Sequence, residues 1–180
     1  MSSELRIGII IGSTRPGRVG PQVAQWLQEH SSRLGEATYE VVDIAEFDLP
    51  LLDEAVPASA GRYANEHTTA WAQKVDSYDG FVFVTPEYNH APSPSLLNAL
   101  SYVYREWNDK AAGIVSYGAS ANGARAAEML RPILGELQIA DVRQHIALSL
   151  ITDFENFSTF APSEKQLAGV QTLVDQLETW

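Results

Sequence analysis

Short apolar runs bounded by turn residues alternate along this chain with longer stretches in which apolar side chains recur every three or four positions. Ile-Gly-Ile-Ile-Ile at 7–11 and Phe-Val-Phe-Val at 81–84 carry no polar alternation, the pattern of strands covered on both faces. The runs predict strands over 5–11, 38–43, 81–85, 112–116 and 141–147. Helical spacing predicts helices over 20–33, 61–75, 95–107, 122–137 and 163–177. Strand and helix alternate throughout, so the fold class is α/β, with βα units feeding a parallel sheet.

Val23, Trp26 and Leu27 form the inward stripe of the first helix, and Leu167, Val170, Leu173, Val174 and Leu177 that of the last. The third helix carries more: Leu96, Leu97, Leu100, Val103, Tyr104 and Trp107 exceed the stripe that one sheet face requires and predict a second buried surface. Pro132 removes a donor inside the fourth helix and predicts a kink or an early frayed turn there. The long irregular stretches at 44–60 and 149–161 read as functional edges or covers.

The 180 residues suit one domain spanning 1–180. A net charge of −11, with no run of Lys or Arg, opposes a phosphate backbone and argues against nucleic acid as a partner. The acidity is concentrated between Glu36 and Glu66, where Arg62 is the sole Lys or Arg, the pattern of a solvated acidic face. The absence of cysteine excludes a disulfide framework, a thiolate nucleophile and a zinc ribbon. Neither a basic, apolar leader nor an apolar run approaching the ~20 residues of a membrane span is present, so a cytoplasmic protein is expected. The scattered histidines lack metal-site spacing.

Open parallel sheets bind ligands beyond the carboxyl ends of their strands, so the residues after each strand belong together. After the first comes Gly-Ser-Thr-Arg-Pro-Gly-Arg, 12–18. It is neither a G-x-G-x-x-G fingerprint nor a P-loop. It nevertheless has a turn-permitting Gly12, hydroxyls at Ser13 and Thr14, charge at Arg15 and Arg18, and a helix start just beyond, the parts of a phosphate site. After the third strand, Pro86-Glu87-Tyr88-Asn89-His90 precedes the stiffening pair Pro92 and Pro94. A loop braced in this way holds backbone donors and acceptors fixed, as a flat heterocycle with imide-like edges requires. His90 reads as an ordinary loop residue. After the fourth strand, Ser116, Gly118 and Gly123 permit close backbone approach. A serine hydrolase is disfavoured because the G-x-S-x-G elbow is missing. A phosphate-receiver domain is excluded because Gly12 and Thr85 stand where it needs acids.

Three motifs in order, "GSTRPGR", "TPEYNHAPSPSLLNAL" with Trp107, and "SYGASANGARAAEMLRPIL", make residues from about 5 to 147 resemble the NADPH-dependent FMN reductase family. These are flavodoxin-like oxidoreductases that include quinone and azo-dye reductases. The resemblance implies a three-layer sandwich with strand order 2-1-3-4-5. It implies that Ser13, Arg15 and Arg18 contact the FMN phosphate, that Pro86, Glu87, Tyr88 and Asn89 line the isoalloxazine ring, and that Ser116, Tyr117 and Gly118 close its far side. Many members have Ser where Arg18 stands, a Tyr-Pro-Gly or Val-Pro-Gly run where this chain has 91–95, and Lys in place of Leu97. Relatives in this family form dimers or dimer pairs, and the resemblance implies a dimer or tetramer.

By the same resemblance, bound FMN accepts hydride from NADPH or NADH and delivers two electrons to a small-molecule quinone, azo or flavin acceptor, by ping-pong kinetics. No side chain is required as a catalyst. Backbone amides near Gly118 are placed to steady negative charge on the reduced ring. Two alternatives share the layout, an electron-carrier flavodoxin and a flavin-binding regulatory protein. Carriers usually cradle phosphate without arginine, so Arg15 favours the reductase.

Overall fold

In the computed structural model, which describes residues 4–180, five strands form one parallel sheet in the order β2-β1-β3-β4-β5. They are β1 (Arg6–Ile11), β2 (Thr38–Asp43), β3 (Gly80–Pro86), β4 (Lys110–Gly118) and β5 (Ile139–Ser149). Every residue of β3 is buried, as its unbroken apolar run requires in the middle of a sheet covered on both faces. Ile9 pairs with Val41 on one side and Val82 on the other, and Ser116 pairs with Ala147. The sheet grows in opposite directions from β1 and β3, so a crevice opens where their carboxyl ends diverge.

The helices α1 (Gly20–Leu34) and α5 (Glu164–Thr179) pack Val23, Leu27, Val170 and Leu173 against one face. On the other face α2 (Glu66–Asp76), α3 (Pro94–Tyr102) and α4 (Ala124–Glu136) bury Trp71, Leu96, Leu100 and Leu130. Among the described residues no helix is long and apolar enough to cross a membrane.

Several boundaries differ from the sequence reading. The second helix begins at Glu66 rather than 61, because Gly61 (φ +61°) lies in the left-handed region and ends a separate 3-10 turn, Ala58–Ala60. The Glu54 carboxylate then accepts hydrogen bonds from the amides of Ala64 and Asn65, just ahead of the helix. The third helix stops at Tyr102 because Val103 returns to extended backbone. A further 3-10 turn, Arg105–Trp107, seats the fully buried Trp107 edge-on against Trp71 and Phe81. Val103 and Trp107 therefore belong to the protein's own core, and only Leu97 and Tyr104 of the surplus remain partly exposed. α4 continues through Pro132 to Glu136. Pro132 and Glu128 are both exposed, so the carbonyl that proline leaves without a donor belongs to the solvent side of the helix. The stretch predicted irregular at 149–161 contains a small antiparallel hairpin, β6 (Phe154–Glu155) and β7 (Thr159–Phe160).

Candidate functional site

Beyond the carboxyl ends of β1, β3 and β4 lies a cavity of about 210 Å³. It is lined by Arg15, Gly17, Arg18 and Val19 of the β1–α1 loop, by Pro86, Glu87 and Tyr88 of the β3–α3 loop, by Tyr117 of β4, and by Leu150 and Phe157 from beyond β5. A larger, more open groove of about 810 Å³ runs between β5 and α5, lined by Asp141, Arg143, Thr172 and Gln176 among others. It takes nothing from the loops after β1, β3 and β4, so the smaller cavity is the better site.

The β1–α1 loop leaves the sheet at Gly12, whose amide donates to the Val84 carbonyl at 2.9 Å. Gly17 turns the chain at φ +72°, and α1 follows with Pro21 in its first turn. Arg18 is half-buried and ion-paired with Asp43 at the end of β2. Its Nε–H is buried with no hydrogen-bond partner among the described residues. A buried donor left unmade is costly, and here it belongs to a positive group in a cavity at a helix N-terminus, where an anion would satisfy it. Arg15 stands exposed on the same loop. Ser13 is buried; its hydroxyl shares a hydrogen bond of 3.0 Å with the Tyr88 hydroxyl and so links this loop to the next.

The β3–α3 loop is braced as its prolines and serines suggest. The Ser93 and Ser95 hydroxyls both donate to the Gly12 carbonyl, Ser95 at 2.7 Å. The Ser93 amide donates to the buried Thr85 hydroxyl at 3.2 Å. Tyr88 and Ala91 exchange backbone hydrogen bonds across a turn whose tip residues, Asn89 and His90, are exposed with positive φ. Glu87 donates its amide to the Tyr117 carbonyl at 2.9 Å. Its carboxylate, only 7% exposed, is ion-paired with Arg125 at the start of α4. Burial pushes the Glu87 carboxyl up, but the Arg125 hydrogen bond and charge, with the amides of Ala126 and Arg125, outweigh burial and hold it below the usual carboxylate range.

The β4–α4 loop closes tightly on itself. Gly118 and Gly123 approach so closely that a Cβ on Gly118 would lie 2.8 Å from the Gly123 amide nitrogen. Tyr117 is buried; desolvation and then Tyr88 push its hydroxyl pKa up, against the charges of Arg18 and Arg15. Ser116 is fully buried and outside the cavity lining. Its hydroxyl donates to the Asn122 carbonyl at 3.0 Å and lies 2.7 Å from His145 Nε2. With the serine proton committed to a carbonyl, His145 must be the donor in that pair. This serine is therefore a brace between β4, β5 and the loop rather than a nucleophile, which agrees with the missing elbow motif.

Of the residues singled out from sequence, Arg15, Arg18, Pro86, Glu87, Tyr88 and Tyr117 converge on the cavity. Ser13 reaches it through Tyr88, Gly118 follows Tyr117 on the strand, Ser116 braces from beneath, and Asn89 sits on an exposed turn tip. Sequence reasoning missed Leu150, Phe157 and Arg125. Arg125 left one signal: a cation in the first turn of a helix opposes the dipole and calls for an acid partner. Among the described residues no cluster of His, Cys, Asp or Glu could hold a metal ion.

Residues 5–153 match the model of the NADPH-dependent FMN reductase family. The chain is 39% identical over 150 residues to an NAD(P)H-dependent FMN reductase of Schizosaccharomyces pombe, covering 82% of this chain and 74% of that protein. It is 32% identical over 140 residues to a quinone reductase of Escherichia coli, covering 74% and 71%. Among solved structures, the flavoenzyme NAD(P)H:(acceptor) oxidoreductase of Paracoccus denitrificans superposes with a TM-score of 0.77 at 18% identity, covering 97% of this chain and 98% of that one, a likeness of fold. The strand order, the arginine-bearing loop at the crevice and these matches agree, and the chain belongs to the NADPH-dependent FMN reductase family of FMN-dependent NAD(P)H oxidoreductases.

Proposed function

We propose that this chain, as one FMN-binding domain over 1–180, is a two-electron NAD(P)H reductase of quinone-like, azo or flavin acceptors. The observation that carries the site assignment is the Arg18 Nε–H, buried and unpartnered among the described residues on a side chain that lines the cavity with Arg15 at the N-terminus of α1. These groups suit a phosphate dianion. Ser13, Arg15 and Arg18 would hold the FMN phosphate, and the wall from Pro86 to Asn89 would orient the ring. Tyr117 and Gly118 would close its far side, with Ser116 bracing them from beneath. FMN held there would supply the redox chemistry, a two-electron exchange between NAD(P)H and the acceptor with ping-pong kinetics. The protein's part is to fix the ring between two cross-linked loops and to exclude water from its buried side.

A homodimer or homotetramer in the cytoplasm is part of the same reading. Leu51 and Leu52 stand exposed on a loop tied to α3 by the Leu52 amide and the Asn98 side chain, and α3 itself carries the partly exposed Leu97. They offer an apolar patch for a second copy. A concentration-independent monomer mass in light scattering would exclude the assembly.

The decisive test of the function is the visible spectrum of the purified protein before and after anaerobic addition of one equivalent of NADPH or NADH. Flavin bands that bleach and return on addition of a quinone are expected. A colourless protein that takes up no added FMN would overturn the assignment.

A further inference from the structure

Phe157 stands at the tip of the β6–β7 hairpin, 63% exposed, on the rim of the same cavity. Asn156 (φ +49°) and Phe157 (φ +57°) both lie in the left-handed region, and the Ser158 amide donates to the Glu155 carbonyl at 3.1 Å. This is the signature of a type I′ turn, whose second central position ordinarily takes glycine. A bulky L residue there is strained. The hairpin's own packing does not call for it, because the aromatic contacts are made by Phe154 and Phe160, with each other and with Tyr117 and Trp26.

The base of the hairpin is fixed to α1. The Gln22 side-chain amide donates to the Ser158 carbonyl at 2.8 Å and accepts from the Phe160 amide at 2.9 Å. The strained turn is therefore held in place, and Phe157 lines the cavity together with Gly17, Arg18 and Val19. The hairpin follows residue 153, where the match to the family model ends.

We propose that Phe157 is a retention cover for the bound flavin, setting how slowly FMN leaves rather than how fast hydride passes. The proposal rests on the flavin reading above. Charge-assisted bonds from Arg15 and Arg18 to a phosphate weaken when water competes for them, and an apolar ring over that end of the cavity excludes water. Phe157 is a positioning residue in this role.

The test compares wild type, Phe157→Gly and Phe157→Tyr. Glycine is the residue this turn prefers, so F157G is expected to fold with an apoprotein melting temperature equal to or above that of wild type. FMN release, followed by the rise in flavin fluorescence after dilution of the holoprotein, is expected to be at least about fivefold faster in F157G and near wild type in F157Y. KM for NAD(P)H at saturating FMN should not change. Unchanged release in F157G overturns the cover. A raised KM for NAD(P)H with unchanged release also overturns it, and assigns the ring to the nucleotide. If wild type takes up no FMN, the flavin reading itself fails; if wild type holds FMN and F157G holds it as long, only the cover fails.

Discussion

The Glu87 carboxylate on the β3–α3 loop accepts two hydrogen bonds from Arg125 at the start of α4, from the guanidinium Nε at 2.7 Å and from the backbone amide at 3.2 Å. Two loops are thereby joined by residues 38 positions apart, one of which, Glu87, lines the cavity. The carboxylate takes the anion position at the N-terminus of α4, and it neutralises a guanidinium that the helix dipole would otherwise oppose.

Because Glu87 titrates below the usual carboxylate range, its contribution to stability is present above the unfolded value near ~4.3 and is lost as pH falls through the lower folded value. Glu87→Gln should therefore cost about 1–2 kcal/mol at neutral pH, Arg125 being partly solvated, and the gap between wild type and variant should begin to close as pH falls below about 4.3 and disappear below the folded value. Thermal melts across that range decide the matter. A gap that stays constant with pH would show that the charge of Glu87 has no part in the brace.

The two arginines of the β1–α1 loop are proposed to hold a phosphate, which makes their expected effect ligand-specific. Arg15→Ala and Arg18→Ala should each weaken FMN binding about tenfold to a hundredfold, the range of one charge-assisted hydrogen bond. Riboflavin, which lacks the phosphate, should bind the variants and wild type alike. Fluorescence titration with both flavins is the check, and equal losses for the two would place the arginines elsewhere on the ligand.

Much of this fold was legible because the chain is locally consistent. Phe-Val-Phe-Val reads as a buried strand and is one, and the motifs at the ends of the first, third and fourth strands meet in space because parallel strands present all their carboxyl ends at one edge. Long-range pairing decided what was not legible. Trp107 continues the helical spacing of α3, yet it leaves that helix because Trp71 and Phe81 offer its indole a buried place that the helix could not reach. The contacts between Ser116 and His145, 29 residues apart, and between Gln22 and Phe160, 138 apart, leave no local trace in the sequence. Phe157 was hidden because a phenylalanine in a loop does not announce a left-handed backbone.

Gly123 provides a test of packing in the β4–α4 loop. It holds φ +79°, and a Cβ there would lie 2.5 Å from the Ser116 hydroxyl and 2.7 Å from the Tyr117 amide nitrogen. Gly123→Ala combines left-handed strain with a clash against backbone, and should destabilise the protein by about 2–4 kcal/mol. The flavin affinity of whatever fraction folds should also fall. An alanine variant that melts like wild type would mean that the loop can move aside.

His145 supplies the pH dependence with the opposite origin. Burial lowers its pKa, the charge of Arg131 adds to that, and Glu128 opposes them. The folded protein therefore binds this proton less readily than the unfolded chain does, and stability declines as pH falls from about 6.5, the unfolded value, toward the folded one. Above about 6.5 the residue has no effect on the slope. His145→Gln keeps a donor for the Ser116 hydroxyl and removes the titration. The variant and wild type should melt alike near neutral pH, and below about 6.5 wild type should lose stability faster. The same shift predicts that the His145 ring signal in NMR remains that of the neutral imidazole at pH values where an exposed histidine is half protonated. Parallel melting curves together with an ordinary ring titration would show that Ser116, Asn122 and the end of β4 do not depend on a neutral His145.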